Sequence, residues 1–268
     1  MRRGWGGVGK AAVVASALSA CTAPAPAPVT TASVGEKRPP FASATASAMA
    51  APAFTGAPSS VVACPEAMVR IGETALCLDR TEVTTEAYAA CVAAGRCSAP
   101  LRGGSCTYER AGASKRPINC VGFLQAETFC KVAGKRLPTE TEWERAAGPT
   151  TYPWGDEPPG KDVCWDGAEN ALGHGNRHDS CDVGTFDGDV SADGVRDLGG
   201  NLTEWTVPVG RATARNLDQL APRRGGTWGT KSGPFLLRTT SRRVGDYDAY
   251  HSGIFTGFRC AAELEGAP

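Results

Sequence analysis

Eleven cysteines in 268 residues are the chemistry this sequence announces first. One of them, Cys21, is placed for modification. It ends the run Leu18-Ser19-Ala20-Cys21, behind a ten-residue apolar stretch, Ala11–Ala20, and the positive Arg2, Arg3 and Lys10. A positive segment, a short apolar segment and small residues before a cleavage point make a signal peptide. Small residues directly before a cysteine make a lipobox, whose thiol takes a diacylglyceryl group before cleavage. Cys21 is therefore the expected lipid-attachment residue. The chain is expected in the cell envelope, facing the periplasm or the exterior. Thr22 rather than Asp follows the cysteine, which favours the outer membrane in a diderm cell.

The other ten cysteines, from Cys64 to Cys260, are an even number in an exported chain and read as a disulfide framework. No C-x-x-C occurs, so neither a zinc knuckle nor a redox pair is supported. Spacing leaves the connectivity open. The shortest loops suggest Cys64–Cys77, Cys91–Cys97, Cys106–Cys120 and Cys164–Cys181, with Cys130 and Cys260 left over. His174 and His178 have i, i+4 spacing, but Gly173, Gly175 and Asn176 break the helix such a metal pair requires. Trp154, Trp165, Trp205 and Trp228 either line a groove or pack between loops.

Composition narrows the classes. The chain holds 28 basic and 28 acidic residues, with a pI near 6.8, so no basic nucleic-acid footprint exists. No apolar run approaches the roughly 20 residues that span a bilayer. Of residues 22–60, 12 are Ala, 7 Pro, 5 Ser and 5 Thr. Such a segment has too little apolar surface to offset its ordering entropy and reads as a tether, 21–60, behind the signal peptide, 1–20. Residues 61–268 carry 23 basic and 27 acidic groups, a net charge of −4, and suit one domain.

Within that domain, Met68–Ile71 and Leu76–Arg80 predict a hairpin. Thr84 caps an expected helix to about Ala94, stopped by Gly95. Phe123, Ala126, Phe129, Cys130 and Ala133 share one helical face. Thr139-Glu-Thr-Glu142 is a capping box opening a helix that buries Trp143. Loops dominate beyond residue 150, with a last strand expected over about Phe255 to Ala262.

Six blocks recur in order: Leu76-Cys-Leu-Asp-Arg-Thr-Glu-Val-Thr84, Gly134-Lys-Arg-Leu-Pro-Thr-Glu-Thr-Glu-Trp-Glu144 and Tyr152-Pro-Trp-Gly155, then Leu198-Gly-Gly-Asn-Leu-Thr-Glu-Trp205, Arg224-Gly-Gly-Thr-Trp228 and Gly257-Phe-Arg-Cys260. Together they resemble the sulfatase-modifying-factor family, whose founding activity is the formylglycine-generating enzyme. The resemblance covers about 64–262. It implies an α+β fold, a variant of the C-type-lectin-like fold with little regular structure, held by disulfides and bound calcium. It also implies a Cys130–Cys260 disulfide.

The oxidase of that family uses two cysteines, five apart, just after the Arg-Gly-Gly block, to hold copper(I) and attack the substrate cysteine. Those places fall here on Thr230 and about Phe235, and neither is a soft thiolate. Copper and a catalytic residue are accordingly not expected. The resemblance implies calcium at Asn201 and Glu204, completed by backbone carbonyls. The expected Asn of a second calcium site falls near Cys164, while Asp187, Asp189 and Asp193 form an acidic loop that need only be solvated. Trp228, Arg238 and Arg242, with Arg243, lie where the family's cleft would be, as either an anion clamp or an ion-pair network. The expected function is a lipid-anchored module binding a protein, peptide or glycan. The alternative is an oxidoreductase of altered chemistry, akin to the family's non-haem-iron branch. That branch carries its iron on a histidine-rich segment, which three scattered histidines do not reproduce.

Overall fold

Strands β1 (Met68–Arg70) and β2 (Leu76–Asp79) form the hairpin expected at the start of the domain, antiparallel with Val69 opposite Leu78. A computed structural model describes residues 63–167, 173, 175, 177–208, 221–231, 233–244 and 253–264. Helix α1 (Thr85–Ala93) begins where Thr84 Oγ1 accepts the amide of Ala87 at 3.2 Å, which satisfies one of the free N–H groups of the first turn. Gly95, at φ 67°, turns the chain away after it.

Helix α2 (Phe123–Val132) buries Phe123, Ala126 and Cys130, while Ala133 lies just beyond it as the C-cap. Helix α3 (Glu140–Ala147) opens on the reciprocal pair the motif predicts. Glu142 N donates to Thr139 Oγ1 at 3.2 Å, and Thr139 N donates to the Glu142 carboxylate at 2.8 Å. Its buried face carries Trp143, packed against Leu76, Leu78 and Leu198.

The remaining strands are short: β3 (Thr203–Trp205), β4 (Arg223–Arg224), β5 (Arg242–Arg243), β6 (Thr256–Gly257) and β7 (Ala261–Glu263). One sheet runs β1-β2-β7 and is antiparallel. The other runs β5-β4-β3-β6, and β6 lies parallel to β3. The single last strand expected from the sequence is therefore two strands in two sheets. Phe258, Arg259 and Cys260 carry the chain between them, all three fully buried. Their side chains are claimed by different parts of the core, while the carbonyls of Phe258 and Cys260 accept the amides of Val83 and Asp79, each at 2.9 Å.

Phe258 joins the apolar cluster of α1 and α2, where its ring lies 5.5 Å from Phe129 and 6.3 Å from Tyr88. Cys260 closes on Cys130 of α2, tying the end of the domain to its middle. The other four bonds are Cys64–Cys77, Cys91–Cys97, Cys106–Cys120 and Cys164–Cys181, the short loops the spacing suggests. The glycines of two motifs meet backbone to backbone. A Cβ on Gly225, at φ 81°, would stand 2.6 Å from the Leu198 carbonyl, and one on Gly226 would stand 2.5 Å from that of Gly199. Only glycine permits this approach, which seats β4 against the turn before β3.

Candidate functional site

Strand β3 places Glu204 at the centre of the domain, and the chain crossing from β6 to β7 places Arg259 beside it. Both are fully buried. Arg259 Nη2 donates to Glu204 Oε1 at 2.6 Å and Nε to Oε2 at 2.8 Å, a two-bond fork. Trp143 Nε1 adds a third donor to Oε2 at 2.9 Å. The rest of the guanidinium serves the backbone carbonyls of Asp79 and Arg196, at 3.1 and 2.8 Å. Strand, helix and crossing segment are thus joined through one ion pair.

Three more carboxylates surround it. Asp189 accepts the amides of Gly199 at 3.0 Å and Gly200 at 2.7 Å, so it holds the Gly-Gly turn from inside. Asp197 accepts the amide of Gly184 at 2.5 Å. Glu82 is 2% exposed, takes only a long bond of 3.4 Å from Asn201 Nδ2, and has one oxygen without a hydrogen-bond partner. One buried guanidinium cannot balance four carboxylates. Burial pushes Asp189 up to about 7, helped by the charge of Asp197, and pushes Asp197 up to about 6. Burial also raises Glu82 well above the ordinary carboxylate range, with Asp197 adding to it.

The two residues expected to hold calcium lie in this arrangement. Both oxygens of Glu204 are already committed to Arg259 and Trp143, whose guanidinium and indole donors lie against them. Asn201 Oδ1 accepts the amide of Cys181 at 3.0 Å. Its backbone, at φ 56°, bonds Cys164 O at 2.9 Å and receives Trp228 N at 2.7 Å. Asn201 therefore ties the Cys164–Cys181 loop to Trp228, and Glu204 anchors Arg259. Both side chains are thus engaged with protein partners in this structure. Among the described residues no group of three His, Cys, Asp or Glu is arranged to hold a metal.

Thr230 is buried and sits against Thr227, with the two hydroxyls 3.4 Å apart. Phe235 lies in a 3-10 turn (Pro234–Leu237) and is 53% exposed. Neither residue offers a thiolate, so the copper(I) pair of the oxidase does not fit here. The expected cleft residues divide in role. Trp228 is buried against Phe255, ring centroids 4.8 Å apart, and is part of the core. Arg242 is committed to the carboxylate of Glu140, with Nη2 at 3.0 Å, so it braces β5 against α3 rather than clamping an anion. Arg238 is exposed and has no side-chain partner among the described residues.

The acidic loop is not merely solvated, since Asp189 is an interior residue and Asp187 pairs with Arg196 at 3.0 Å. Trp165 and Trp205 are fully buried, so only Trp154 of the four indoles is partly exposed. His178 is described and exposed, whereas His174 and His251, with Asp246 and Asp248, lie outside the described residues. Glu82, Asp197 and Arg259 were not singled out by the sequence reading. Two of them sit inside the motif blocks, as the Glu of Thr81-Glu82-Val83 and the Arg of Phe258-Arg259-Cys260, which was the available signal.

Few regular elements, two small sheets and five disulfides around a buried ion pair define a C-type-lectin-like domain of the formylglycine-generating-enzyme type. Residues 45–264 match the "Sulfatase-modifying factor enzyme 1-like domain", and the chain belongs to that family. It is 31% identical over 172 residues to the formylglycine-generating enzyme of Thermomonospora curvata, covering 55% of each chain. It is also 31% identical over 156 residues to the inactive C-alpha-formylglycine-generating enzyme 2 of Bos taurus, covering 54% of this chain and 50% of that one. The chain thus spans about half the length of these curated relatives. The structure of PvdO from Pseudomonas aeruginosa shares the fold, with a TM-score of 0.52 at 22% identity, over 70% of this chain and 80% of that one.

Proposed function

We propose that this chain is a lipid-anchored, extracytoplasmic member of the family whose domain binds a protein, peptide or glycan and does not oxidise a substrate cysteine. The observation that carries the reading is the state of the thiols. All ten cysteines from Cys64 to Cys260 are joined in disulfides, and the sequence has only Cys21 besides. Formylglycine chemistry needs a thiolate to hold copper(I) and to engage the substrate sulfur. Thr230 supplies a neutral hydroxyl and Phe235 a hydrocarbon, neither of them a soft ligand. Similarity to a relative named as inactive supports the same direction. The exposed pair Phe235 and Arg238 offers an apolar and a cationic contact to a partner on the face where the oxidase has its thiols.

Lipidation at Cys21 and the Ala/Pro-rich segment behind it would hold this domain off a membrane surface. Two measurements test the reading together. Cys21→Ser should move the protein from the membrane pellet to the soluble fraction, and a wild-type level in the pellet sinks the anchor. Copper(I) titration of residues 61–268 against a coloured chelator should show no stoichiometric uptake. Tight binding of one copper per chain sinks the non-catalytic reading.

A further inference from the structure

The C-terminal end of α3 opens into a cleft of about 440 Å³, lined among others by Arg145, Ala147, Trp154, Ser191 and Asp193. We propose that this cleft binds an uncharged saccharide of one or two pyranose rings. The proposal rests on the binding-module reading above and deepens it by naming a ligand class and a place.

Opposite charges stand free in the cleft. Arg145 has no side-chain partner among the described residues, and neither has Asp193. Other charged groups of this domain are paired, among them Arg224 with Glu140 and Glu144, Arg196 with Asp187, and Arg136 with Glu142, whereas Arg145 and Asp193, like Arg238, keep their hydrogen-bonding capacity. A guanidinium presents planar donors and a carboxylate presents only acceptors, so together they match neighbouring hydroxyls, which both give and take hydrogen bonds. Their charges cancel, and the cleft therefore discriminates against an anion as much as against a cation. The carbonyls of Ala146 and Ala147, among the last of α3, also lack a donor among the described residues and supply further acceptors.

Trp154 supplies the apolar surface that the C–H face of a pyranose ring requires. It is the partly exposed one of the four indoles, and its position is fixed. Its ring stacks on buried Tyr152, centroids 5.1 Å apart and 3° from parallel, and its Nε1 donates to Glu157 O at 3.0 Å. Tyr152 and Gly155 exchange both backbone hydrogen bonds, at 2.8 and 3.0 Å, which closes the turn carrying it. The opposite wall is equally set. Ser191 N donates to Val195 O and Gly194 N to Ser191 O, both at 2.8 Å, across the loop that carries Asp193. A ligand entering here orders little protein, which keeps the cost of binding low. The lining otherwise consists of small or apolar residues such as Pro149, Pro153 and Ala192, and the volume suits one or two sugar rings.

The test is isothermal titration of the full, oxidised chain with neutral probes and one acidic probe. The neutral set is methyl glucoside, methyl mannoside, N-acetylglucosamine and its β-1,4-linked disaccharide; the acidic probe is glucuronate. Saturable binding of at least one neutral sugar, tighter than glucuronate, is expected. Arg145→Ala and Asp193→Ala should each weaken it about tenfold, the loss of one charged hydrogen bond. Both sites are at the surface, so melting temperature should not change. Trp154→Phe, which keeps a ring, should retain more affinity than Trp154→Ala. Absence of saturable binding by every neutral sugar overturns the proposal while leaving a protein partner at Phe235 and Arg238. Binding lost on Arg238→Ala but untouched by Arg145→Ala also overturns it, and would instead support the binding reading at the other face.

Discussion

Arg259 and Glu204 form a two-bond ion pair, 2.6 and 2.8 Å long, with neither side chain exposed to solvent. The pair joins the last motif of the chain to the Gly-Gly-Asn-Leu-Thr-Glu-Trp block, 55 residues earlier. Its arginine also donates to the backbone carbonyls of Asp79 and Arg196, while the segment crossing between the sheets accepts Val83 N at Phe258 O and Asp79 N at Cys260 O.

Breaking that pair from one side leaves a buried charge uncompensated. Glu204→Gln and Arg259→Met should each cost about 3–5 kcal/mol of stability, read from urea unfolding. The double variant should cost clearly less than the sum of the two, because the second change removes the charge stranded by the first. Additive losses would show that the residues are not coupled.

The acids around this pair set a pH dependence. Asp189 and Asp197 titrate near 7 and 6 in the folded state, raised by burial, whereas their ordinary value is 3.8. The native state therefore holds protons that the unfolded chain has released. Stability should fall as pH rises from about 4 through 7, the reverse of a salt-bridged carboxylate. Asp189→Asn should flatten that slope in unfolding midpoints measured at successive pH values. A slope unchanged by the substitution would remove Asp189 as its source.

Disulfides should contribute by loop size. Cys130–Cys260 spans 130 residues and lies fully buried, whereas Cys91–Cys97 spans 6. Loop-closure entropy assigns the first about 5 kcal/mol and the second about 2 kcal/mol. Replacing Cys130 and Cys260 together by Ala should lower the unfolding midpoint more than replacing Cys91 and Cys97. Peptide mapping of the unreduced protein should recover both pairs, and equal losses would contradict the ordering.

Features set by local rules could be read from the sequence, and features set by tertiary demand could not. The caps at Thr84 and Thr139, the hairpin and the short disulfide loops depend on residues a few positions apart. The family resemblance supplied Cys130–Cys260. Asp189 shows the opposite case. In sequence it is one of three Asp among Gly and reads as solvated, yet the Gly199-Gly200 turn needs an acceptor from inside the protein. The strand expected over Phe255–Ala262 divides into two because the Arg259 and Cys260 side chains answer to Glu204 and Cys130, partners distant in sequence. At the candidate site, the choice for Arg242 between anion clamp and ion-pair network stayed open in the sequence because its partner Glu140 lies 102 residues away.

The claim that this domain has kept the family's fold without its oxidase chemistry is tested most directly by peptide oxidation. The purified, oxidised domain is loaded with copper(I), given oxygen, a thiol reductant and a Cys-x-Pro-x-Arg peptide, and the peptide is read by mass spectrometry. With Thr230 and Phe235 in the thiol positions, the peptide cysteine should remain a cysteine at every time point. Formylglycine in the peptide, formed in proportion to the domain added, would contradict the account.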